Sequence, residues 1–111
     1  MGHHLKAARW DIHHGIKDYR LILKQEHHGR VSFNRRYSLR AFARDLGLAP
    51  SRLCEIFHYK QGLSRDAAGR IADRLGYDGD RKSYFLDLVT ASHARNKKDR
   101  ENAQNRLKHA W

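Results

Sequence analysis

The stretch Ser38-Leu39-Arg40-Ala41-Phe42-Ala43-Arg44-Asp45-Leu46-Gly47-Leu48-Ala49-Pro50-Ser51-Arg52-Leu53-Cys54-Glu55-Ile56-Phe57 decides how this chain folds. Leu39, Phe42, Ala43 and Leu46 recur at i, i+3, i+4 and i+7, which puts them on one face of an α-helix. Ser38 stands ahead of that face as an N-cap. Gly47 closes the helix, because glycine enters a left-handed turn without steric cost. Pro50 suits the first turn of a second helix, where its missing N–H breaks no bond. Leu53, Ile56 and Phe57 then form the inner face of that helix, which runs to about Tyr59. Ala43 has the small side chain that two closely crossing helices need, and Leu46 and Leu48 bracket the turn. This order of small residue, glycine and paired apolar residues is the packing core of a helix-turn-helix.

Reading outward, a first helix is expected from about Asp11 to His27, on a stripe of Ile12, Ile16, Tyr19 and Leu23. Gly15 weakens it and His28-Gly29 ends it. Beyond the central pair, Ser64 caps a fourth helix with Asp66 in its first turn; Ala68, Ile71, Ala72 and Leu75 face inward, and Gly76 terminates it. A fifth helix starts near Asp80, buries Tyr84, Phe85, Leu88 and Val89, and continues past Ala94 as a polar, basic stretch. Ala103, Leu107 and Trp111 give that continuation a thin apolar stripe. Alternation of the strand type is missing, and Val31-Ser32-Phe33 is too short to supply it. The expected fold class is all-α: a five-helix repressor-like helix-turn-helix domain with a basic C-terminal helical extension. It forms one domain overall, with a basic N-terminal segment and first helix over 1–37, the core over 38–92 and a basic tail over 93–111.

Charge sets the class of partner. The net charge is +11. Residues 1–37 hold eight Lys and Arg against three Asp and Glu; residues 93–111 hold six against two; the middle is nearly balanced. Such a surplus attracts phosphate and releases its counterions. A membrane is not expected: no apolar run nears the roughly 20 residues a span needs, and the tail is too polar to lie on a bilayer. The start of the chain lacks the apolar core of a secretory signal, so a cytoplasmic location is expected, at the nucleoid if the chain binds DNA. Cys54 is the single cysteine and is read as buried filler within an apolar pattern. Six of the nine histidines fall in adjacent pairs, His3-His4, His13-His14 and His27-His28. Neighbours on a helix point about 100° apart, so such pairs do not chelate through one face. No metal, cofactor or catalytic constellation is read from the chain, and an enzyme is not expected.

Ser38-Leu39-Arg40-Ala41-Phe42-Ala43-Arg44 and Gly47-Leu48-Ala49-Pro50-Ser51 resemble the Cro/CI-like, repressor-type helix-turn-helix. Together with Asp18-Tyr19-Arg20, Lys60-Gln61-Gly62-Leu63-Ser64 and Tyr84-Phe85-Leu86-Asp87-Leu88-Val89, they resemble the N-terminal region of a family of uncharacterised bacterial regulator-like proteins. That likeness covers roughly residues 12–106, and members usually carry an additional C-terminal domain of unknown function. It implies binding of double-stranded DNA and control of transcription. Placed on such a fold, Ser51 and Glu55 face outward on the second helix as candidates for base edges, and Arg52 reaches phosphate or guanine. Arg40 and Arg44 on the preceding helix, and Lys60 and Gln61 after the second, lie where phosphate is touched. Tyr59 stands where the family tends to have glycine, and Glu55 where a cation or amide would be friendlier to DNA. Those two residues favour a rival reading, a protein-interaction adaptor that keeps the fold without DNA readout. A homodimer through Tyr84, Leu88, Leu107 or Trp111 and a protein partner are both left open.

Overall fold

A computed structural model describes residues 18–109. Among the described residues there are six α-helices and no strand: α1 (Tyr19–Phe33), α2 (Leu39–Leu46), α3 (Pro50–Phe57), α4 (Arg65–Arg74), α5 (Gly79–His93) and α6 (Lys97–His109). No described helix is long and apolar enough to cross a membrane.

The caps explain the element boundaries. Ser38 Oγ accepts from Ala41 N at 3.0 Å and Ser64 Oγ from Ala67 N at 3.1 Å, each satisfying one orphan donor of a first turn. Gly47 has φ 77° and ends α2 in the left-handed region, with Leu48 N returning to Ala43 O at 2.8 Å. Each helix places its apolar stripe on one core. Tyr19, Ile22 and Leu23 of α1 meet Phe42, Ala43 and Leu46 of α2, Leu53 and Ile56 of α3, Ala68, Ile71 and Ala72 of α4, and Tyr84, Phe85, Leu88 and Val89 of α5. Tyr19 and Tyr77 each meet the ring of Phe85 edge-on, with centroids 6.2 and 6.1 Å away. Ala43 is wholly buried, as a close crossing requires.

The structure departs from the expectations at four places. The expected first helix is not continuous from Asp11: Asp18 is extended and caps a helix that begins at Tyr19, while Ile12, Gly15 and Ile16 lie outside the described residues, as do His3-His4, His13-His14 and Trp111. Gly29 does not end α1, which runs four residues further to Phe33. Tertiary bonds hold that last stretch: Arg30 Nη1 donates to Tyr37 Oη at 3.0 Å and pairs with Asp45 at 3.2 Å. The fifth helix does not continue past Ala94. Ala94 is extended, and Asn96 caps a new helix by accepting from Lys98 N at 2.8 Å. The new helix, α6, folds back on α5, burying Ala103 and packing Leu107 against the core. Arg106 fixes it there with a bidentate grip on the buried Asp87, Nη2 to Oδ1 at 2.8 Å and Nε to Oδ2 at 3.1 Å. Finally, Tyr84 and Leu88 are core residues of a single chain, so neither is a surface for a second copy.

Candidate nucleic-acid interface

The second short helix of the central pair, α3, shows its N-terminal end to solvent. Ala49, Pro50 and Ser51 are exposed. Ala49 is the N-cap and offers no side-chain bond, and Pro50 occupies the first turn. The N–H groups of Ser51 and Arg52 therefore stand as the positive end of the helix dipole, open to an anion. Leu53 and Ile56 turn inward, which leaves Ser51, Cys54 and His58 on the outer side. Cys54 is exposed, contrary to the reading of it as buried filler. One helical residue past Leu53 is 100° round the axis, and that rotation carries it out of the core. His58 turns back along the same side: its Nδ1 lies 2.7 Å from Cys54 O and 3.5 Å from Cys54 Sγ.

Arg52 is half-buried; its Nε is out of contact with water and has no hydrogen-bond partner among the described residues. Glu55 is half-buried too, and its carboxylate accepts from Gln61 Nε2 at 3.0 Å. Arg40 and Arg44 are exposed and four residues apart, hence neighbours on one face of α2. Lys60 and Gln61 are exposed after α3. The structure thus joins Glu55 to Gln61 directly and leaves Arg40, Arg44 and Lys60 as exposed cations.

Several residues of the site escaped the sequence reading. Arg35 and Arg36 are exposed in the loop that leads into α2. Arg74, in the last turn of α4, lays its guanidinium against the turn between α2 and α3: a Cβ on Gly47 would lie 3.0 Å from Arg74 Nε. The largest omission is the support behind α3. Arg20, buried in the first turn of α1, donates from Nε to Ile56 O at 2.6 Å and from Nη2 to Gln61 O at 2.9 Å. A charged donor thereby satisfies carbonyls at and beyond the end of α3. Tyr59 follows with φ 64°, the left-handed conformation that glycine takes freely and tyrosine does not. Its ring lies 4.3 Å from the Arg20 guanidinium carbon, and its hydroxyl donates to Asp18 Oδ2 at 2.5 Å. The bond to Asp18 raises the phenol above its usual value. Asp18 also caps α1 by accepting from Arg20 N at 2.9 Å. The signal in the sequence was Asp18, an N-cap residue type, directly ahead of Tyr19 and Arg20.

Next to this support, Tyr19 Oη and His93 Nε2 lie 2.7 Å apart. Burial pushes the Tyr19 phenol up to about 12 and lowers the His93 imidazole, to which Arg20 adds by charge. The His93 ring rests on Gly62, where a Cβ would come within 2.6 Å of His93 Cε1. No protein-family model matches the chain, and neither the curated proteins nor the solved structures searched gave a match.

Proposed function

We propose that the chain binds double-stranded DNA as a repressor-like helix-turn-helix module and serves in the control of transcription. One observation carries this reading: the exposed, uncapped start of α3, with cations on the helix before it and the loop after it. In the major groove, such a helix offers N–H groups to a phosphate and outward side chains to base edges. Ser51 and Glu55 are the base-edge candidates, with Glu55 accepting from a cytosine amino group and Gln61 steadying its carboxylate. Arg52 is the candidate for phosphate or guanine, through its guanidinium nitrogens other than the buried Nε. Arg40, Arg44 and Lys60 give sequence-independent affinity, joined by Arg35 and Arg36. The side chains that favoured an adaptor have work inside the chain. Tyr59 closes over Arg20, and the Glu55 charge is partly met by Gln61. On this reading the protein is a binding module and not an enzyme.

The test is fluorescence anisotropy of the full chain on a duplex obtained by in-vitro selection and on a scrambled duplex, at two salt concentrations. The selected duplex is expected to bind more tightly by about a hundredfold or more. Arg40→Ala and Arg44→Ala should weaken both duplexes alike and each reduce the salt slope by about 0.9. Equal binding of the two duplexes, no better than a generic polycation, overturns the reading and returns the α3 face to the adaptor.

A further inference from the structure

The start of α4, the end of α5 and the start of α6 enclose a half-open cleft of about 290 Å³. Its wall is divided in character. Leu63, Val89 and Ala94 supply apolar surface; Arg65, His93 and Arg95 supply polar and cationic groups. We infer that this cleft is a binding site for a small monocarboxylate carrying a short apolar chain.

Charge argues for the carboxylate. Arg65 and Arg95 outnumber the carboxylate that Asp99 contributes to the wall, and Asp99 also acts on Arg106 from the first turn of α6. Arg65 is partly committed, with Nη1 donating to Thr90 Oγ1 at 2.7 Å and lying 3.6 Å from Asp87. Arg95 has no side-chain bond among the described residues and is exposed, so its guanidinium is available to a ligand. Ser64 and Arg65 bring the positive end of α4 to the same cleft. Size and lining argue for the chain. The volume falls near the lower end for ligand pockets, enough for a handful of carbon atoms against Leu63 and Val89.

The cleft shares a wall with the support of α3. His93 lines it, touches Gly62 and pairs with Tyr19. Gly62 follows Gln61, whose carbonyl is held by Arg20 together with that of Ile56. A ligand that shifts the His93 ring therefore shifts the segment that fixes the end of α3. Its regulatory meaning rests on the DNA reading; the binding itself does not.

The experiment is a ¹H–¹⁵N titration of the full chain at fixed ionic strength with sodium hexanoate, inorganic phosphate and hexanol. Hexanoate is expected to give saturable shifts at Leu63, Val89 and His93, spreading to residues 59–62, and to bind about tenfold more tightly than either other probe. Arg95→Ala should weaken it about tenfold, the loss of one charge-assisted bond. Ala94→Leu should block it by filling the cleft while leaving both arginines in place. Absence of saturable shifts with hexanoate overturns the inference. Equal response to phosphate reduces the site to an anion patch, equal response to hexanol to an apolar one, and indifference to both substitutions places binding elsewhere; each likewise overturns it. None of these readouts uses DNA, so their failure is distinct from failure of the DNA reading.

Discussion

Gly62→Ala tests the contact on which the segment after α3 is seated. The backbone of Gly62 lies outside the positive-φ region, so an alanine is not excluded by conformation. Taken by itself, such a replacement stabilises a fold by about 0.4–1 kcal/mol by restricting the unfolded chain. The surroundings oppose it. A Cβ at this position would meet His93 Cε1 at 2.6 Å and both ring nitrogens at 2.7 Å. The ring is not free to swing away, because Nε2 is 2.7 Å from Tyr19 Oη and the ring stands edge-on to the wholly buried Tyr19 at 5.4 Å. Overpacking of this kind costs about 1–3 kcal/mol and outweighs the backbone gain. Removing the ring should reverse the sign: in a His93→Ala background, Gly62→Ala becomes neutral or stabilising. The assay is urea denaturation followed by far-UV circular dichroism, with unchanged slopes as the check that only native stability has moved. A coupling energy above about 1 kcal/mol is expected from the cycle. Equal cost of Gly62→Ala in both backgrounds refutes the argument, since the ring would then be yielding rather than seated.

Arg20→Met should cost about 2–3 kcal/mol, because it strands the carbonyls of Ile56 and Gln61, and hydrogen exchange should quicken at the end of α3 before the rest of the core. Tyr59→Gly should be more stable than Tyr59→Ala by about 1 kcal/mol in urea melts, since both lose the ring and only alanine retains the left-handed penalty. Ala43→Leu should cost about 1–3 kcal/mol at the α2–α3 crossing; melting at the wild-type temperature would remove the argument for a close crossing. Burial lowers both His27 and His93 in the folded chain, with Arg30 and His28 adding to the first and Arg20 to the second, while Asp18 opposes on His93 and Ser38 on His27. The unfolded chain therefore takes up protons first, so stability is full above about pH 6.5 and declines as pH falls below it. Urea midpoints between pH 7.5 and 5.5 should show that decline, and His93→Gln should flatten it.

The central pair was legible because its signals are local. Ser38, Gly47, Pro50 and Ser64 act within one turn of where they stand, and the stripes of α2 to α5 need only helical spacing. The break before α6 was also within reach: Asn96, with Asp99 three residues on, is an N-cap followed by an acidic first turn. Gly29 misled because its cost of about 1 kcal/mol is small beside the Arg30 bonds that follow. What stayed hidden is the support of α3. Arg20 reaches Ile56 and Gln61 across 36 and 41 residues, and Tyr59 reaches Asp18 across 41. No periodicity encodes such pairs. Tyr59, read as a departure that weakened the case for DNA, is in the structure the residue that closes over Arg20 at a position glycine would fill more easily.

The fold of α6 changes what the net charge means for a phosphate partner. Counted as a tail, residues 93–111 carry a surplus of cations that would all face outward. In the structure, Arg106 is spent on Asp87, and Arg100 donates to the carbonyls of Ala94 and Arg95 at 2.7 and 3.1 Å. Lys97 lies 3.9 Å from Glu101, an exposed pair that holds little in water. Among the described residues, Lys98, Lys108 and Arg95 are exposed and make no such ties. Truncating the segment is therefore a poor probe of electrostatics, because it also strips Ala103 and Leu107 from the core and leaves Asp87 with Arg65 at 3.6 Å as its remaining ion pair. A loss of DNA affinity after truncation could come from unfolding as easily as from lost phosphate contacts. Neutralising Lys98 and Lys108 spares Ala103, Leu107 and the Arg106–Asp87 pair, so on the DNA reading a change in salt slope in that variant reports lost charge rather than lost fold.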